Sequence, residues 1–337
     1  MFTIGNKKIG KNYPVFIIAE AGINHNGDLN IAKKLIKQAS KCGADAIKFQ
    51  TITADELFSK KMNPELYTLV DKWSLNKKDH LTLIDYAKKN NIQIFSTPMG
   101  QKTTKLLVSL GMQAIKIASC DLNYHDFLKT TAKTKTPMII STGMSKISEI
   151  SSAVDIIKQE NCPFAILHCN SSYPTPMEDA NLSTIPYLEK MFDVPIGYSD
   201  HTDGIDACIA AVAIGASILE KHFTLDKEME GPDQKLSADP NEFSELVRKT
   251  RLIEKSLGKP RTGVTKSEKK FVKKMRKSIG ASIDIPANTK IKKSMLSVFR
   301  PGNGISPDMI DDLVGLKTKK LIKKGTQLSW KELSDLD

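Results

Sequence analysis

Short apolar runs alternate with amphipathic segments through most of this chain, and this alternation is the feature that most constrains its fold. In the amphipathic segments, apolar residues recur near i, i+3 and i+4, as in helices. Strands of a parallel sheet are buried on both faces and read as nearly continuous apolar runs. Eight such strand–helix units match a (β/α)8 barrel. The predicted strands lie at residues 15–20, 45–51, 92–98, 114–119, 137–143, 164–169, 195–200 and 217–223.

A doubly wound dinucleotide-binding sheet is the rival interpretation of the same alternation. That fold places the motif GxGxxG directly after its first strand. The sequence after the first predicted strand, residues 22–27, is GINHNG, which has the wrong spacing and carries a histidine. The fold class predicted is therefore α/β, a (β/α)8 TIM barrel followed by a small, β-rich domain.

The last part of the chain differs in character from the barrel and contains an internal repeat. Residues 285–297 and 322–334 align without gaps, and each copy is predicted to form a turn, a short strand and a short helix. We expect a barrel domain over residues 1–255, a linker over 256–279 and a small domain over 280–337. So small a domain scarcely stabilises itself, and docking on the barrel or on a neighbouring subunit would help it.

Composition excludes several classes of protein. No apolar run reaches 18 residues, so no membrane span is predicted. The amino terminus lacks a signal-peptide pattern, and five scattered cysteines without a CxxC pair suggest reduced thiols, so we expect a cytoplasmic protein. The net charge is +12, yet the densest basic run, residues 266–277, has one aromatic residue and no nucleic-acid motif. We expect no nucleic-acid partner, and the positive charge would favour anionic substrates.

Polar side chains gather at the ends of the predicted strands, where a (β/α)8 barrel has its active site. Taken singly, a serine there is usually a helix cap and a lysine usually extends to solvent. Eight polar strand ends that converge on one mouth are harder to explain in that way. The main candidates are Glu20, Lys48, Gln50, Thr97, Lys116, Ser119, Ser141, Tyr173, Ser199, His201 and His222.

The types of these residues indicate their chemistry. Lys48 and Lys116, with several hydroxyls, suit a small ligand that carries a phosphate and a carboxylate. His201 and His222 end adjacent strands and suit a catalytic divalent metal with open positions. Other histidines are interpreted differently: His80 and His125 are predicted to be solvated helix residues. For His25 and His168 the sequence leaves substrate contact and a scaffold role open, and Asp200 has at most a supporting role behind the metal ligands.

Ten motifs occur along the chain in the following order: IIAEAGINHNGD, IKFQT, FSTP, KIAS, STGM, YPTP, GYSDHT, LEKHFTLD, GPDQKLS and RPGNG. The chain resembles the sialic acid synthase family, which includes N-acetylneuraminate, legionaminate and pseudaminate synthases, and the resemblance runs over essentially its whole length. The C-terminal segment resembles the antifreeze-like (SAF) domain of that family.

The resemblance implies condensation of phosphoenolpyruvate with the open-chain aldehyde of an N-acylated hexosamine, with release of phosphate. It implies a divalent ion, Mn2+ or alternatively Mg2+ or Co2+, held by His201 and His222. It implies a domain-swapped homodimer in which Arg300 of one subunit reaches the N-acyl group of the sugar in the other. The implied catalytic residues are Glu20, Asp121, Lys48 and Lys116; the phosphoenolpyruvate-binding residues are Lys48, Gln50, Thr97, Lys116, Ser119, Ser141 and Ser199; and the sugar-binding residues are Glu20, Tyr173, Asp233 and Arg300.

One departure from the family pattern concerns the fourth strand end. Many bacterial members have SGE where this chain has SCD, residues 119–121. Asp121 keeps the carboxylate but is one methylene shorter, which puts its role in doubt, although animal relatives also carry Asp there. Cys120, in place of a glycine, is interpreted as structural.

Three alternatives remain open beside the leading hypothesis. The chain could be a pseudaminate synthase, although EAGINHNGD and GPDQKLS look closer to neuraminate and legionaminate synthases. It could be a metal-dependent barrel aldolase or isomerase acting on sugar phosphates. It could bind glycans or ice through the repeat domain, which the complete set of barrel residues disfavours. The acceptor, N-acetylmannosamine or a 2,4-diacetamido-6-deoxy analogue, is left undecided.

Overall fold

The computed structural model describes residues 1–334. The chain divides into two compact units, the first ending at Gly258 and the second beginning at Lys259. The last three residues of the predicted small domain, 335–337, lie outside the described part.

The first unit contains a closed barrel of eight parallel strands in the order β10-β3-β4-β5-β6-β7-β8-β9. Each barrel strand falls within one of the eight predicted runs or overlaps most of it, so the (β/α)8 prediction is confirmed. The strands are β1 (Phe2–Ile4), β2 (Lys7–Ile9), β3 (Phe16–Gly22), β4 (Ala46–Thr51), β5 (Gln93–Pro98), β6 (Ile115–Ile117), β7 (Met138–Ser141), β8 (Phe164–Cys169), β9 (Ile196–Asp200) and β10 (Ile218–His222).

Helices follow the barrel strands and cover the outside of the barrel, where their apolar faces join the hydrophobic core. They are α1 (Leu29–Lys41), α2 (Ala54–Leu57), α3 (Pro64–Trp73), α4 (Lys77–Lys89), α5 (Gln101–Ser109), α6 (His125–Lys133), α7 (Ile147–Gln159), α8 (Thr184–Phe192), α9 (Asp206–Ala213) and α10 (Pro240–Leu257).

Local sequence explains where the principal helices begin. The side chain of Asp28 accepts hydrogen bonds from the backbone N–H groups of Asn30 and Ile31, which caps α1. At α10, Asp239 and Glu242 form a reciprocal capping box. These caps end the loops that follow β3 and β10, so the polar residues in those loops stay at the mouth of the barrel.

The second unit is small and has its own core. Its elements are α11 (Lys269–Met275), β11 (Ser278–Ala281), β12 (Leu296–Phe299), α12 (Ile310–Leu313), β13 (Lys317–Thr318) and β14 (Leu333–Ser334). β11 pairs antiparallel with β12, and β13 pairs antiparallel with β14. The core residues are Ile279, Ala281, Ile285, Ile291, Leu296, Ile305, Leu313, Ile322, Leu328 and Leu333.

The internal repeat is present in the structure. Ile285 and Ile322 form an antiparallel bridge with each other, and both are buried. The matched positions Asn288 and Gly325 both have left-handed backbones, with φ of 58° and 78°, as residues in tight turns often do. In each copy a turn, at 287–288 and 324–325, is followed by a bridge residue, Lys290 and Gln327, and then by a 3-10 helix, which is the predicted order. A short strand, β12 or β14, then follows the 3-10 helix of each copy and was not predicted.

Two expectations from composition can be compared with the described residues. No helix in residues 1–334 is both long and apolar enough to cross a bilayer. The five cysteines are all free; four are buried, and Cys120 is exposed.

Candidate active site

A cavity of about 320 Å3 opens at the carboxyl ends of the barrel strands. The parallel strands bring these ends together, and within each strand alternate side chains point to the same side. The predicted site residues that line the cavity are Glu20, Lys48, Gln50, Thr97, Lys116, Ser119, Ser141, Tyr173, Ser199, His201 and His222.

Lys48 and Lys116 form the polar floor of this cavity, and both are almost fully buried. The Lys48 ammonium lies 2.7 Å from a carboxylate oxygen of Glu20 and donates to the Thr97 hydroxyl at 2.9 Å. The Lys116 ammonium donates to the Ser141 hydroxyl at 2.6 Å. Two ammonium groups with hydroxyl partners are well suited to hold an anionic ligand.

The two lysines differ in their electrostatic environment. Burial would lower the pKa of Lys48, but the carboxylates of Glu20 and Glu220 outweigh it and hold that pKa above its ordinary value. Burial lowers the pKa of Lys116, although Glu220 opposes the effect. The charge on Lys116 is therefore the less secure of the two.

Glu220 is a cavity residue that the sequence analysis missed. Its carboxylate accepts a hydrogen bond from the Ser199 hydroxyl at 2.9 Å. It also lies 3.8 Å from the ammonium of Lys48 and 3.7 Å from that of Lys116. Strand periodicity would have found it, since it precedes His222 by two residues and so faces the same side of β10.

Glu20 and Glu220 share Lys48 but have opposite pKa shifts. Burial raises the pKa of Glu20 against the opposing charge of Lys48. For Glu220, burial is outweighed by Lys116 and Lys48 together, which lower its pKa. A pair of carboxyl groups with pKa values pushed apart provides one group that exchanges protons and one that stays ionised.

His201 and His222 are neighbours at the rim, with ring centroids 5.3 Å apart. Nδ1 of His201 lies 2.6 Å from the Asn170 carbonyl, which makes Nδ1 the donor and leaves Nε2 with a lone pair. Nδ1 of His222 is buried without a hydrogen-bond partner, and burial beside His201 lowers the pKa of His222 well below its ordinary value. Imidazole nitrogens with free lone pairs fit a divalent cation.

The remaining coordination positions are less defined. Asp233 Oδ2 lies 3.9 Å from Nδ1 of His222. Among the residues described, no group of three or more His, Cys, Asp or Glu side chains is arranged to hold a metal ion. A cation held by the two histidines would complete its coordination with water or substrate, as a catalytic rather than a structural site does.

Cys169 lines the cavity beside His201 and affects the pKa of that histidine. The Cys169 sulfur is 3.8 Å from Nδ1 of His201. Burial alone would raise the pKa of the Cys169 thiol and lower that of His201. Their interaction with each other outweighs burial, so the pKa of Cys169 is lowered and that of His201 is raised.

Tyr173 and Asp233 lie beside the histidines. The Tyr173 ring centroid is 4.1 Å from that of His201, and Tyr173 is half exposed. Burial raises the pKa of Tyr173. Burial also raises the pKa of Asp233, although the charges of His201 and Lys48 act to lower it. Asp233 does not line the cavity, but it lies beside His222, which does.

The SCD segment forms a 3-10 turn after β6. The Ser119 hydroxyl accepts a hydrogen bond from the Gly143 N–H at 2.9 Å. Asp121 does not line the cavity; one of its oxygens is buried without a hydrogen bond, and burial raises its pKa. Cys120 does line the cavity, with an exposed side chain. Arg300 lies in the second unit, where its Nε donates to the Met275 carbonyl.

The other histidines divide into three kinds. The prediction that His80 is solvated was wrong: it is buried, because its ring bonds to the Thr51 hydroxyl at 2.9 Å and to the Asn76 carbonyl. His125 is exposed, as predicted. His168 bonds to a backbone carbonyl at 2.7 Å, and His25 accepts from the Gly27 N–H while its Nε2 lacks a partner. Burial lowers the pKa of His25 to about 4.

Together, the fold and the cavity define a (β/α)8-barrel enzyme with buried cationic groups for an anionic substrate beside two histidines suited to a divalent cation. Residues 35–262 match the NeuB family and residues 276–334 match the SAF domain. The chain belongs to the NeuB family and carries a SAF domain at its C-terminus.

Individual relatives agree with this assignment over nearly their whole lengths. N,N'-diacetyllegionaminic acid synthase of Campylobacter jejuni is 40% identical over 91% of this chain and 97% of its own. Human N-acetylneuraminate-9-phosphate synthase is 38% identical over 92% of this chain and 90% of its own. The crystal structure of N-acetylneuraminic acid synthetase from Leptospira borgpetersenii, in complex with citrate, superposes with a TM-score of 0.76 at 44% identity, covering 80% of this chain and 94% of that one.

Proposed function

We propose that this chain condenses phosphoenolpyruvate with the open-chain aldehyde of an N-acylated hexosamine and releases phosphate, forming a nonulosonic acid. The observation that carries the proposal is the pair of buried lysines, Lys48 and Lys116, beside the two histidines in one cavity. The names of the related synthases support the same reaction class.

Lys48 and Lys116, with the surrounding hydroxyls, would hold the phosphate and carboxylate of phosphoenolpyruvate. The neighbouring residues proposed for this role are Gln50, Thr97, Ser119, Ser141 and Ser199. Fixing the substrate at both anionic ends places its C3 toward the aldehyde, and such positioning supplies much of the acceleration for a weak carbon nucleophile.

In the reaction, C3 of phosphoenolpyruvate forms a bond to the aldehyde carbon, whose oxygen takes up a proton. Water then adds at C2, and the C–O bond to phosphate breaks. Glu20, whose pKa burial raises, is placed to exchange these protons, with Asp121 as a further candidate. Glu220 stays ionised and can stabilise the positive charge that develops at C2.

A divalent cation, which we propose to be Mn2+, would be held by His201 and His222 and would polarise the aldehyde oxygen. Mg2+ and Co2+ are alternatives. The orphaned Nδ1 of His222 supports this assignment. Tyr173 and Asp233 lie beside these histidines and are proposed to orient the sugar.

We further propose a domain-swapped homodimer in which Arg300 of one subunit reaches the N-acyl group of the sugar bound in the other. The presence of a SAF domain in the chain supports this proposal. For the acceptor, we propose N-acetylmannosamine or a 2,4-diacetamido-6-deoxy hexosamine. Pseudaminic acid synthase of Campylobacter jejuni is 37% identical, so a pseudaminate-type acceptor is included in the test.

The test measures phosphate release from phosphoenolpyruvate with Mn2+ and each candidate hexosamine. Release is expected only when both substrates are present, and Lys48→Met should abolish it. Glu245→Gln, a change to an exposed carboxylate paired with Arg248, serves as the control and should be silent. Absence of release with every N-acyl hexosamine would refute the proposal, and turnover of a sugar phosphate without phosphoenolpyruvate would favour an aldolase or isomerase.

A further inference from the structure

Asp200 and Lys221 form a buried ion pair on the two strands that carry the proposed metal ligands. The Lys221 ammonium lies 2.7 Å from Oδ2 of Asp200, and both side chains are almost fully buried. The two residues are direct register partners between β9 and β10. Each immediately precedes a histidine in sequence, Asp200 before His201 and Lys221 before His222. Neither lines the cavity.

The ion pair is packed among other buried side chains. On the same face of these strands, the register pair two residues earlier is Leu219 with Tyr198, and both are buried. On α9, the thiol of Cys208 donates to Asp200 Oδ2 at 3.2 Å. A buried ion pair generally adds little stability relative to apolar residues of similar volume. Stability alone is therefore a weak explanation for this pair.

Its hydrogen bonds act on the turn that contains His201. Oδ1 of Asp200 accepts from the backbone N–H of Thr202 at 2.9 Å and from its hydroxyl at 2.8 Å. The Lys221 ammonium donates to the Thr202 carbonyl at 2.5 Å. The residue after His201 is thus held at its N–H by β9 and at its carbonyl by β10.

The peptide of His201 is fixed on a further side, because its carbonyl accepts from the Thr175 N–H at 2.8 Å. With the Nδ1 bond to Asn170, the backbone and ring of His201 are both restrained. Lys221 is the one of these partners that comes from β10, the strand that ends at His222. It therefore links the positions of the two histidines.

We propose that the Asp200–Lys221 pair is a positioning pair that sets the distance and orientation between His201 and His222 for a divalent cation. The inference rests on the proposed metal site. Partners that orient metal ligands typically contribute about 10- to 100-fold to metal affinity, and that is the effect expected here.

The experiment compares Lys221→Met and Asp200→Asn with the full-length wild type by calorimetric titration of Mn2+ and by thermal unfolding. Lys221→Met keeps the length of the side chain but removes the bonds to Asp200 and Thr202, and it should weaken Mn2+ binding by about 10- to 100-fold. If Lys221→Met does not fold, Asp200→Asn tests the same role. This variant keeps an oxygen for Thr202 but removes the charge that pairs with Lys221, and it should also weaken Mn2+ binding.

Asp45→Asn is the matched control. Asp45 pairs with Arg251 at 2.8 Å and accepts from the Ile17 N–H, at the end of the barrel opposite the cavity. The Asp45→Asn variant should have a lower Tm than the wild type and the same Kd for Mn2+. If Lys221→Met and Asp45→Asn both lower Tm and both leave that Kd unchanged, the pair is only structural and the inference is wrong.

His201→Ala separates this failure from failure of the metal site itself. If His201→Ala binds Mn2+ as the wild type does, the two-histidine site is wrong, and the positioning role fails with it. If His201→Ala loses binding while folded Lys221→Met and Asp200→Asn retain it in full, the site stands and only the positioning role is overturned.

Discussion

Replacing Glu220 with Gln tests how the cavity keeps its lysines charged. Glutamine preserves the volume and an oxygen for the Ser199 hydroxyl but removes the negative charge between Lys48 and Lys116. Lys48 retains Glu20 at 2.7 Å. Lys116 has Glu220 as its ion-pair partner among the described residues and would lose it. The effect should therefore fall on Lys116.

The magnitude follows from the distances. A unit charge about 4 Å away contributes about 4 kcal/mol at an effective dielectric constant of about 20, which is an upper limit for this pair. Burial already lowers the pKa of Lys116, and removing Glu220 lowers it further. A deprotonated Lys116 would lose a charge-assisted hydrogen bond to phosphoenolpyruvate worth about 1.5–3 kcal/mol. That corresponds to a rise in KM of about 10- to 150-fold.

The assay is the KM for phosphoenolpyruvate from pH 6.5 to pH 9, measured by phosphate release. A lysine is charged below its pKa, so the variant should approach the wild type at low pH and diverge from it as pH rises. The hexosamine KM should change much less. A variant KM that matches the wild type throughout, or that is raised by the same factor at every pH, would refute the role assigned to Glu220.

The other predictions concern the metal, the second unit and a buried histidine. His201→Ala or His222→Ala should abolish condensation and lower Mn2+ affinity in calorimetry, and unchanged turnover at limiting Mn2+ would remove the metal assignment. Deleting residues 281–337 should raise the hexosamine KM far more than the phosphoenolpyruvate KM; an unaltered hexosamine KM would contradict the role of Arg300. His80→Ala should lower the free energy of unfolding by about 1–3 kcal/mol while both KM values stay constant, because His80 bonds to Thr51 away from the cavity.

The barrel was predictable because its strands are buried on both faces. Burial on both faces makes each strand a nearly continuous apolar run in the sequence. In the helices between the strands, apolar residues instead recur with a period of about 3.6 residues. The small domain lacks such long-range regularity. Its repeat was visible in the sequence, and so was the order of turn, extended residue and short helix. The strands that follow, and bridges such as Ile285 with Ile322, pair distant segments, which local sequence does not specify.

Most of the cavity followed from residue types at strand ends, whereas the errors arose where tertiary contacts decide the environment. His80 was predicted to be solvated, but it lies on the buried face of α4 with Leu83 and Ala87, and its ring bonds to Thr51 on β4. Glu220 was missed because the eighth predicted strand was represented at the site by His222 alone, and Glu220 lies two residues earlier on that strand. Its location between two lysines is a property of three strands, β4, β6 and β10, that are far apart in sequence.

The same long-range arrangement assigns different tasks to two chemically identical groups. Glu20 and Glu220 both lie near Lys48, but Lys116 and Ser199 are additional partners of Glu220. Those partners stabilise its ionised form, while Glu20 has its pKa raised by burial. A proton that leaves or enters the reacting atoms is therefore more readily exchanged with Glu20. Glu20→Gln should accordingly reduce kcat and raise the KM for phosphoenolpyruvate less than Glu220→Gln does, because Lys48 keeps Glu220 while Lys116 loses its carboxylate only in Glu220→Gln. If both variants altered only KM, the division of roles between the two carboxyl groups would be wrong.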